Sequence, residues 1–285
     1  MRHSFPAAWA GSFGLLVAAC SAASNAPAVD AGTDAVSDDA SELPADAGTD
    51  ATDSVDAQGL STETVLDLND VKTNPGPYEW FDFKPNVKKL ILAGVPETQH
   101  VAILWYTITE GAVGLHHHAK TESVFVIDGT QTDAKGVYPT GTVYFNPPGS
   151  GHEIMHSSGF FVLAYAAPPD FANTSLIGEY TPIRIDTSAA DLTTAYPFVE
   201  SEAGVRVFSP ALDSTGGMTA AFIDITSAGD YVYRGNYLLV LRGSCDIEGV
   251  TIAKDKLVVG KTVTPRAYTV TASSGSTCLA MGVSF

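Results

Sequence analysis

The sequence predicts an all-β protein in which short strands form a sandwich or a barrel. From about residue 65 onward, β-branched and aromatic runs alternate with turns that contain Pro and Gly, as in residues 80–83, 87–94 and 101–109. No window of about 11 residues in this region shows a convincing helical period. The 285 residues, of which 45% are hydrophobic, suffice for one large domain or two small ones. A double-stranded β-helix, or jelly roll, fits this strand pattern.

Residues 1–20 have the features of an export signal. Arg2 is followed by an apolar run, residues 13–19, that is too short to span a bilayer. The segment that ends at Cys20 resembles a bacterial lipobox, and this resemblance implies a lipid anchor on Cys20 in the cell envelope. Ser21 follows the cysteine where some such signals have Asp, and the resemblance to Gram-negative lipoprotein sorting implies the outer membrane. The alternative is an ordinary secretory signal with a chance cysteine.

Residues 21–64 are predicted to be a disordered tether. Between residues 21 and 59 the chain carries nine acidic residues and no Lys or Arg, which is about half of the excess behind the net charge of −17. Few large apolar residues are present to offset the ordering entropy. The acidic charge argues against nucleic acid as a partner.

Five of the seven histidines lie between residues 111 and 156. In a β-strand His116 and His118 point to the same face, and Glu122 follows a short turn. His152 comes after a Pro-Pro-Gly turn, from which a neighbouring strand could bring it to the same point. Three imidazoles and one carboxylate suit a divalent transition metal. An adventitious run of three histidines would explain neither Glu122 nor His152.

These residues belong to two motifs with regular internal spacing. The first motif is His116, His118, Glu122 and Gly129, and the second is Gly141, Pro147, Gly149 and His152. Together they resemble the two cupin motifs, and within cupins they are most similar to the ChrR-type group. Two positions depart from the pattern, because Glu110 replaces a glycine and His156 replaces the usual Asn. The resemblance implies a jelly roll with one metal (Fe, Zn, Mn, Ni or Cu) held by His116, His118, Glu122 and His152.

Four further residues carry expectations about the site or the fold. His117 is expected to face solvent or to lie behind the ligands. His156 has the same strand phase as His152, so it is a candidate to face the pocket and support a ligand. Cys245 and Cys278 could form a disulfide in an exported protein, or remain two free buried thiols.

The second half, residues 171–285, weakly repeats the first. Residues 238–243 parallel residues 124–129, and this alignment places Asn236 at the position of Glu122. No histidine follows residue 156. The sequence therefore predicts a metal-binding domain at residues 65–170 and a second, metal-free jelly roll at residues 171–285. The alternative is an unrelated β-sandwich in the second half.

The sequence supports three hypotheses about function. The ChrR-type resemblance implies a metal-dependent dioxygenase acting on a small carbonyl or phenolic compound, with chemistry centred on the metal. A non-catalytic module that binds a metal or a small ligand is the alternative, and a sugar isomerase or epimerase is the third. The expected partners are a small molecule, the membrane through the lipid anchor, and a second copy of the chain, because jelly rolls often pair by their sheets.

Overall fold

The computed structural model describes residues 60, 62–175, 177–227 and 229–285. The predicted signal segment, Cys20 and nearly all of the predicted tether lie outside the described residues. Within the described part the chain forms eighteen strands, two short α-helices and one 3-10 turn. No helix in these residues is long and apolar enough to cross a membrane.

The strands follow one another with short connections, as the spacing of the turn residues predicts. The first half contains β1 (Glu63–Asp67), α1 (Leu68–Thr73), β2 (Phe81–Lys84), β3 (Val87–Gly94), β4 (His100–His117), β5 (Glu122–Asp133), β6 (Gly136–Pro139), β7 (Thr142–Asn146) and β8 (Gly151–Tyr165). The second half contains β9 (Ile183–Asp186), α2 (Leu192–Ala195), β10 (Val199–Glu202), β11 (Val205–Phe208), the 3-10 turn (Ser214–Gly216), β12 (Thr219–Ile225), β13 (Asp230–Gly235), β14 (Tyr237–Ile247), β15 (Val250–Ala253), β16 (Lys256–Gly260), β17 (Arg266–Ala272) and β18 (Cys278–Ser284).

The strands form two antiparallel sheets. The first has the order β2-β3-β4-β8-β5-β7-β9, with β6 on β5, and the second has the order β1-β16-β14-β18-β12-β11-β10, with β13, β15 and β17 attached. Two pairings cross the predicted border at residue 170. Strand β1 pairs with β16, and β9 pairs with β7. Each half of the chain therefore contributes a strand to the sheet of the other half.

Strand β5 shows how the period-2 pattern builds the core. Val124 and Val126 pack into an apolar cluster formed by the first half of the chain, whereas Phe125 and Ile127 pack into a cluster to which both halves contribute. A third apolar cluster fills the second sheet. Because residues 124–127 are buried on both faces of β5, this segment is continuously apolar rather than alternating with polar residues.

The two halves also share an irregularity in their strands. The register shifts between Val126 and Asp128 in β5, and it shifts between Val240 and Arg242 in β14. A glycine with positive φ, 84° in one half and 67° in the other, follows each shift. Further along, a disulfide joins Cys245 of β14 to Cys278 of β18.

Candidate metal centre

The first sheet brings the four predicted ligands together. His116 lies at the end of β4 directly opposite His152 of β8, and Glu122 begins β5. His118 follows β4 immediately, and its ring lies 4.9 Å from that of His116, centroid to centroid. The alternation of the strand explains this shared face. Residues 119–121 then lead into β5, whose first residue, Glu122, points to the same place.

The ligand atoms have the spacing that one metal ion requires. One nitrogen or oxygen from each of the four residues lies within 4.8 Å of all the others. His118 Nε2 is 3.2 Å from His152 Nε2 and 3.4 Å from Glu122 Oε2. Metal–nitrogen bonds of about 2.1 Å place adjacent ligands roughly 3.0–3.4 Å apart. The residues therefore fit a single divalent ion, and this is the one such group in the described part of the chain.

Burial sets the protonation of two ligand histidines, His116 and His118. Each of the four side chains is at most 3% exposed. Burial, with smaller contributions from the neighbouring His152 and His118 rings, lowers the pKa of His116 to about 3. Burial also holds the pKa of His118 well below its usual range. The neutral rings keep a nitrogen lone pair available, which metal coordination needs.

Two of the rings are oriented through their other nitrogen. His152 Nδ1 lies 3.0 Å from Asp133 Oδ2, and His116 Nδ1 lies 2.9 Å from the carbonyl oxygen of Gly114. Both acceptors keep the proton on Nδ1 and leave Nε2 facing the centre. The other Asp133 oxygen accepts hydrogen bonds from two backbone N–H groups and a tyrosine hydroxyl, those of Lys135, Gly136 and Tyr138.

The carboxylate ligand is held in a similar way. Asn146 Nδ2 donates to Glu122 Oε2 over 2.8 Å, and the two residues are directly opposite in the β5–β7 ladder. Asn146 is fully buried. The amide therefore fixes the direction of the carboxylate and satisfies part of its hydrogen-bonding capacity.

Sequence reasoning missed Asp133 and Asn146. Asn146 directly precedes Pro147 of the second motif, so its position next to a known motif was an available signal. Asp133 had no such signal, because it is an odd number of residues from Glu122 and should face the other way. The register shift in β5 changes the phase of the strand and turns Asp133 inward.

The structure corrects the expectation for His156 and places His117. The His156 side chain is 72% exposed and pairs with Glu110 at the surface, so it supports no ligand. Its φ of 49° breaks the alternation on which the expectation depended. His117 is buried rather than solvent-facing. Its ring packs so closely on Gly151 that a Cβ there would lie 2.7 Å from His117 Nδ1, and its backbone pairs with that of Asp170.

A narrow cavity opens beside the ligands. Most of its walls are apolar or aromatic, and the free space has room for about one water molecule. Its lining consists of Phe83, Leu104, Tyr106, Val113, His116, Glu122, Gln131, His152, Ile154, Leu163, Tyr165 and Phe171.

Three of the lining residues determine the shape and polarity of the cavity. Phe171 covers His116, with ring centroids 5.0 Å apart, and contacts Phe83 edge-on. Tyr106 Oη and Gln131 Oε1 are buried and have no hydrogen-bond partner among the described residues. Burial and the charge of Glu122 hold the pKa of Tyr106 far above its usual range, so its hydroxyl remains a donor.

Comparison with known structures identifies the fold. A protein from Nostoc punctiforme assigned as a dioxygenase superposes with a TM-score of 0.52 at 12% identity, covering 78% of this chain and 82% of that one. Salicylate 1,2-dioxygenase from Pseudoaminobacter salicylatoxidans, solved as adducts with gentisate, gives 0.51 at 10% identity, covering 80% and 83%. At such identities the likeness shows the fold alone. A search of curated proteins found no match.

A family model matches the segment that carries the site. Residues 69–167 match the family model of the ChrR cupin-like domain, and all four clustered residues lie within this segment. The strand order, the His-His-Glu-His group and the similar structures agree with that match. The described chain thus has an all-β cupin fold, and its segment 69–167 matches the ChrR cupin-like domain.

Proposed function

We propose that this protein is a metal-dependent dioxygenase that acts on a small carbonyl or phenolic compound. The observation that carries the proposal is the buried group of His116, His118, Glu122 and His152 beside a mostly apolar cavity. Four side chains do not fill a six-coordinate shell, so positions remain for water or substrate. A divalent ion bound here would supply Lewis acidity, a template for substrate and one-electron chemistry with O₂.

The residues of the chain set the conditions for that chemistry. The apolar walls exclude bulk water, which strengthens electrostatic interactions inside the cavity. Asp133 and Asn146 hold the His152 ring and the Glu122 carboxylate in fixed directions. The proposal assigns no separate general base, because an ion held by the four clustered residues would supply the chemistry with O₂.

The two free polar groups indicate the substrate class. The Tyr106 hydroxyl can donate a hydrogen bond to a carbonyl oxygen, and Gln131 Oε1 can accept one from a phenol or an enol. A small compound with one oxygen of each kind and an otherwise apolar body would satisfy both. The dioxygenase assignments of the two similar structures support the reaction class.

Metal analysis and oxygen uptake test the proposal. Native protein should contain about one equivalent of metal per chain, and it should consume O₂ with one member of a panel of small diketones and hydroxylated aromatics. His118→Ala should lose both properties, whereas the surface variant His156→Ala should keep them. Stoichiometric metal in His118→Ala would exclude the assigned site, and metal without O₂ uptake across the panel would exclude the enzyme.

One observation favours a second candidate, a module that holds a metal without turnover. The cavity has room for about one water molecule, which leaves little space for a substrate. Phe171→Ala should widen the entrance and distinguish the two functions. Faster O₂ uptake in this variant would support the enzyme, and unchanged absence of uptake with metal retained would support the module.

Two further parts of the proposal concern the rest of the chain. The matching strand succession and register shift support a second jelly roll that has lost its ligands, so that the protein is a bicupin with one metal site. The N-terminal segment supports anchoring in the bacterial envelope through a lipid on Cys20, although that residue lies outside the described part. Cys20→Ser should release the protein from the membrane fraction, and membrane association unchanged by this substitution would refute the anchor.

A further inference from the structure

A turn from the second half of the chain contacts the turn that spaces two of the ligands. Residues 119–121 connect His118 to Glu122. The Thr121 backbone N–H donates to the Gly216 carbonyl oxygen over 3.1 Å, and Lys120 Nζ donates to the Thr215 carbonyl oxygen over 2.8 Å. Neither hydrogen bond involves one of the four metal-ligand residues. In sequence, 95 residues separate the two members of each pair.

Packing at Gly216 makes this contact tight. A Cβ at this position would lie 1.8 Å from Thr121 Oγ1 and 3.1 Å from Pro148 Cγ. Pro148 belongs to the loop that leads to His152, so one glycine contacts both ligand-bearing loops. Gly216 does not have a left-handed φ, and the requirement for glycine therefore comes from close approach rather than from backbone conformation.

The two ligand-bearing loops are also joined to each other. The Gly149 N–H donates to the His118 carbonyl oxygen over 2.7 Å, and the His118 N–H donates to the Ser150 carbonyl oxygen over 2.9 Å. A displacement of either loop therefore moves the other. The contact at Gly216 is in a position to limit both displacements.

The contacting turn has its own local order. Asp213 Oδ1 accepts hydrogen bonds from the Thr215 N–H over 2.8 Å and from the Thr215 hydroxyl over 2.7 Å. The Gly216 N–H donates to the Asp213 carbonyl oxygen over 2.9 Å, and Gly217 ends the turn with a φ of 65°. This Asp-capped turn presents a preformed edge to residues 119–121.

We propose that residues 213–217 are a brace that sets the distance between His118 and Glu122, which makes Gly216 a positioning residue for the metal centre. The half of the chain that contributes no ligand thereby supports the metal affinity that the ligands set. The proposal assumes metal binding by the four clustered residues and does not depend on the reaction class. Rigid support of ligands from outside their own segment is worth about tenfold or more in metal affinity in other metal sites.

Metal titration of matched glycine variants tests the brace. Gly216→Ala should bind Co²⁺ about tenfold more weakly than wild type, measured against a competing chelator, with a changed visible absorption spectrum. Gly178→Ala is the control, because a Cβ at Gly178 meets nothing within 4 Å. It should keep both the affinity and the spectrum of wild type, and a weaker Gly178→Ala would count against a specific role of Gly216.

A second pair of variants keeps the test valid if Gly216→Ala folds poorly. Asp213→Ala removes the cap of the turn without adding an atom, and we expect Co²⁺ affinity to fall by roughly threefold. Asp213→Asn should restore the affinity, since Asn caps almost as well as Asp. Wild-type affinity in both Gly216→Ala and Asp213→Ala would overturn the brace. Failure of the wild-type protein to bind Co²⁺ would overturn the metal site and the brace together.

Discussion

The two halves of the chain place different side chains at matching strand positions. Glu122 of the first half aligns with Asn236 of the second, because the register shift and the glycine that follow are at the same distance from each. By the same count Asp133, at the end of β5, aligns with Ile247 at the end of β14. The acceptor of the His152 proton thus corresponds to a fully buried aliphatic side chain.

Packed side chains and a hydrogen-bonded asparagine occupy the matching positions of the second half. Asn236 donates to the Val263 carbonyl oxygen over 2.7 Å and accepts from the Phe285 N–H over 2.8 Å. Tyr233 lies directly opposite Tyr268, as His116 lies opposite His152 in the first half. Gly235 and Gly282 make room for the Tyr233 ring, which a Cβ at either position would contact within about 2.3 Å.

The difference shows how one strand pattern supports either a site or a solid core. Buried polar side chains lower stability unless each is paired, and three of the four ligands in the first half have a hydrogen-bond partner outside the ligand group. The second half replaces these groups with aromatic rings, aliphatic side chains and a disulfide. We therefore expect the first half to determine metal binding and the second half to contribute stability and support.

The largest expected effect comes from removing a ligand. His152→Ala should reduce metal affinity by more than about 100-fold, because it deletes a ligand rather than a supporting residue. Asn236→Ala in the second half should keep wild-type metal affinity and lose about 1–3 kcal/mol of unfolding free energy, because it leaves two partly buried backbone groups unpaired. Chelator competition and urea unfolding measure the two quantities. Stoichiometric metal in His152→Ala would contradict the assignment.

Removing the disulfide of the second half should lower the unfolding free energy and leave metal affinity unchanged. Cys245→Ala with Cys278→Ala should lower the unfolding free energy by about 3 kcal/mol, since the unfolded chain gains freedom. Co²⁺ affinity of the folded protein should stay within about twofold of wild type, because no ligand or brace residue changes. Urea unfolding of apo protein gives the first value and chelator competition the second. A large loss of Co²⁺ affinity would show that the halves are coupled through this bridge.

Acid should destabilise the first half selectively. Burial, with the charge of Lys89 as a smaller cause, lowers the pKa of His100 to about 4, against about 6.5 in the unfolded chain. The unfolded state therefore binds more protons below about pH 6.5, and stability falls as pH drops from there towards 4. Each such histidine contributes up to roughly 1.4 kcal/mol per pH unit in this window.

Urea unfolding of the apo protein at pH 7.5 and pH 5.0 measures this loss. His100→Gln should reduce the pH dependence without abolishing it, because burial also lowers the pKa of His116 and His118. Hydrogen exchange should show strands β4 and β8 opening at pH 5.0 before β14 and β18, because no histidine follows residue 156. Equal opening of both sheets would contradict the assignment of the acid sensitivity to the first half.

The smallest expected effect concerns the residue behind a ligand. Asp133→Asn should lower metal affinity by about tenfold, since the His152 ring loses its charged acceptor. Asp128→Asn on the same strand is the matched control, because Asp128 is exposed, and it should bind metal like wild type. Chelator competition measures both. Equal metal affinity in Asp133→Asn and wild type would show that Asp133 does not support His152 as a metal ligand.

Much of the fold and the ligand group could be predicted because both follow from short-range patterns. Alternation of side chains along a strand groups His116 with His118, and turn residues at regular intervals indicate an all-β chain. The same rule failed for His156, whose positive φ turns it to the surface. It failed for Asp133 because a register shift reverses the phase of β5.

The sequence by itself determined the strand rhythm, the ligand types and their spacing, because each depends on residues that are close together in the chain. Only the tertiary structure decided which strands pair across the two halves, which side chains orient the ligands, and that Gly216 reaches Thr121. These contacts join segments that are far apart in sequence, so no local pattern encodes them. They arise when the two sheets pack around their shared core.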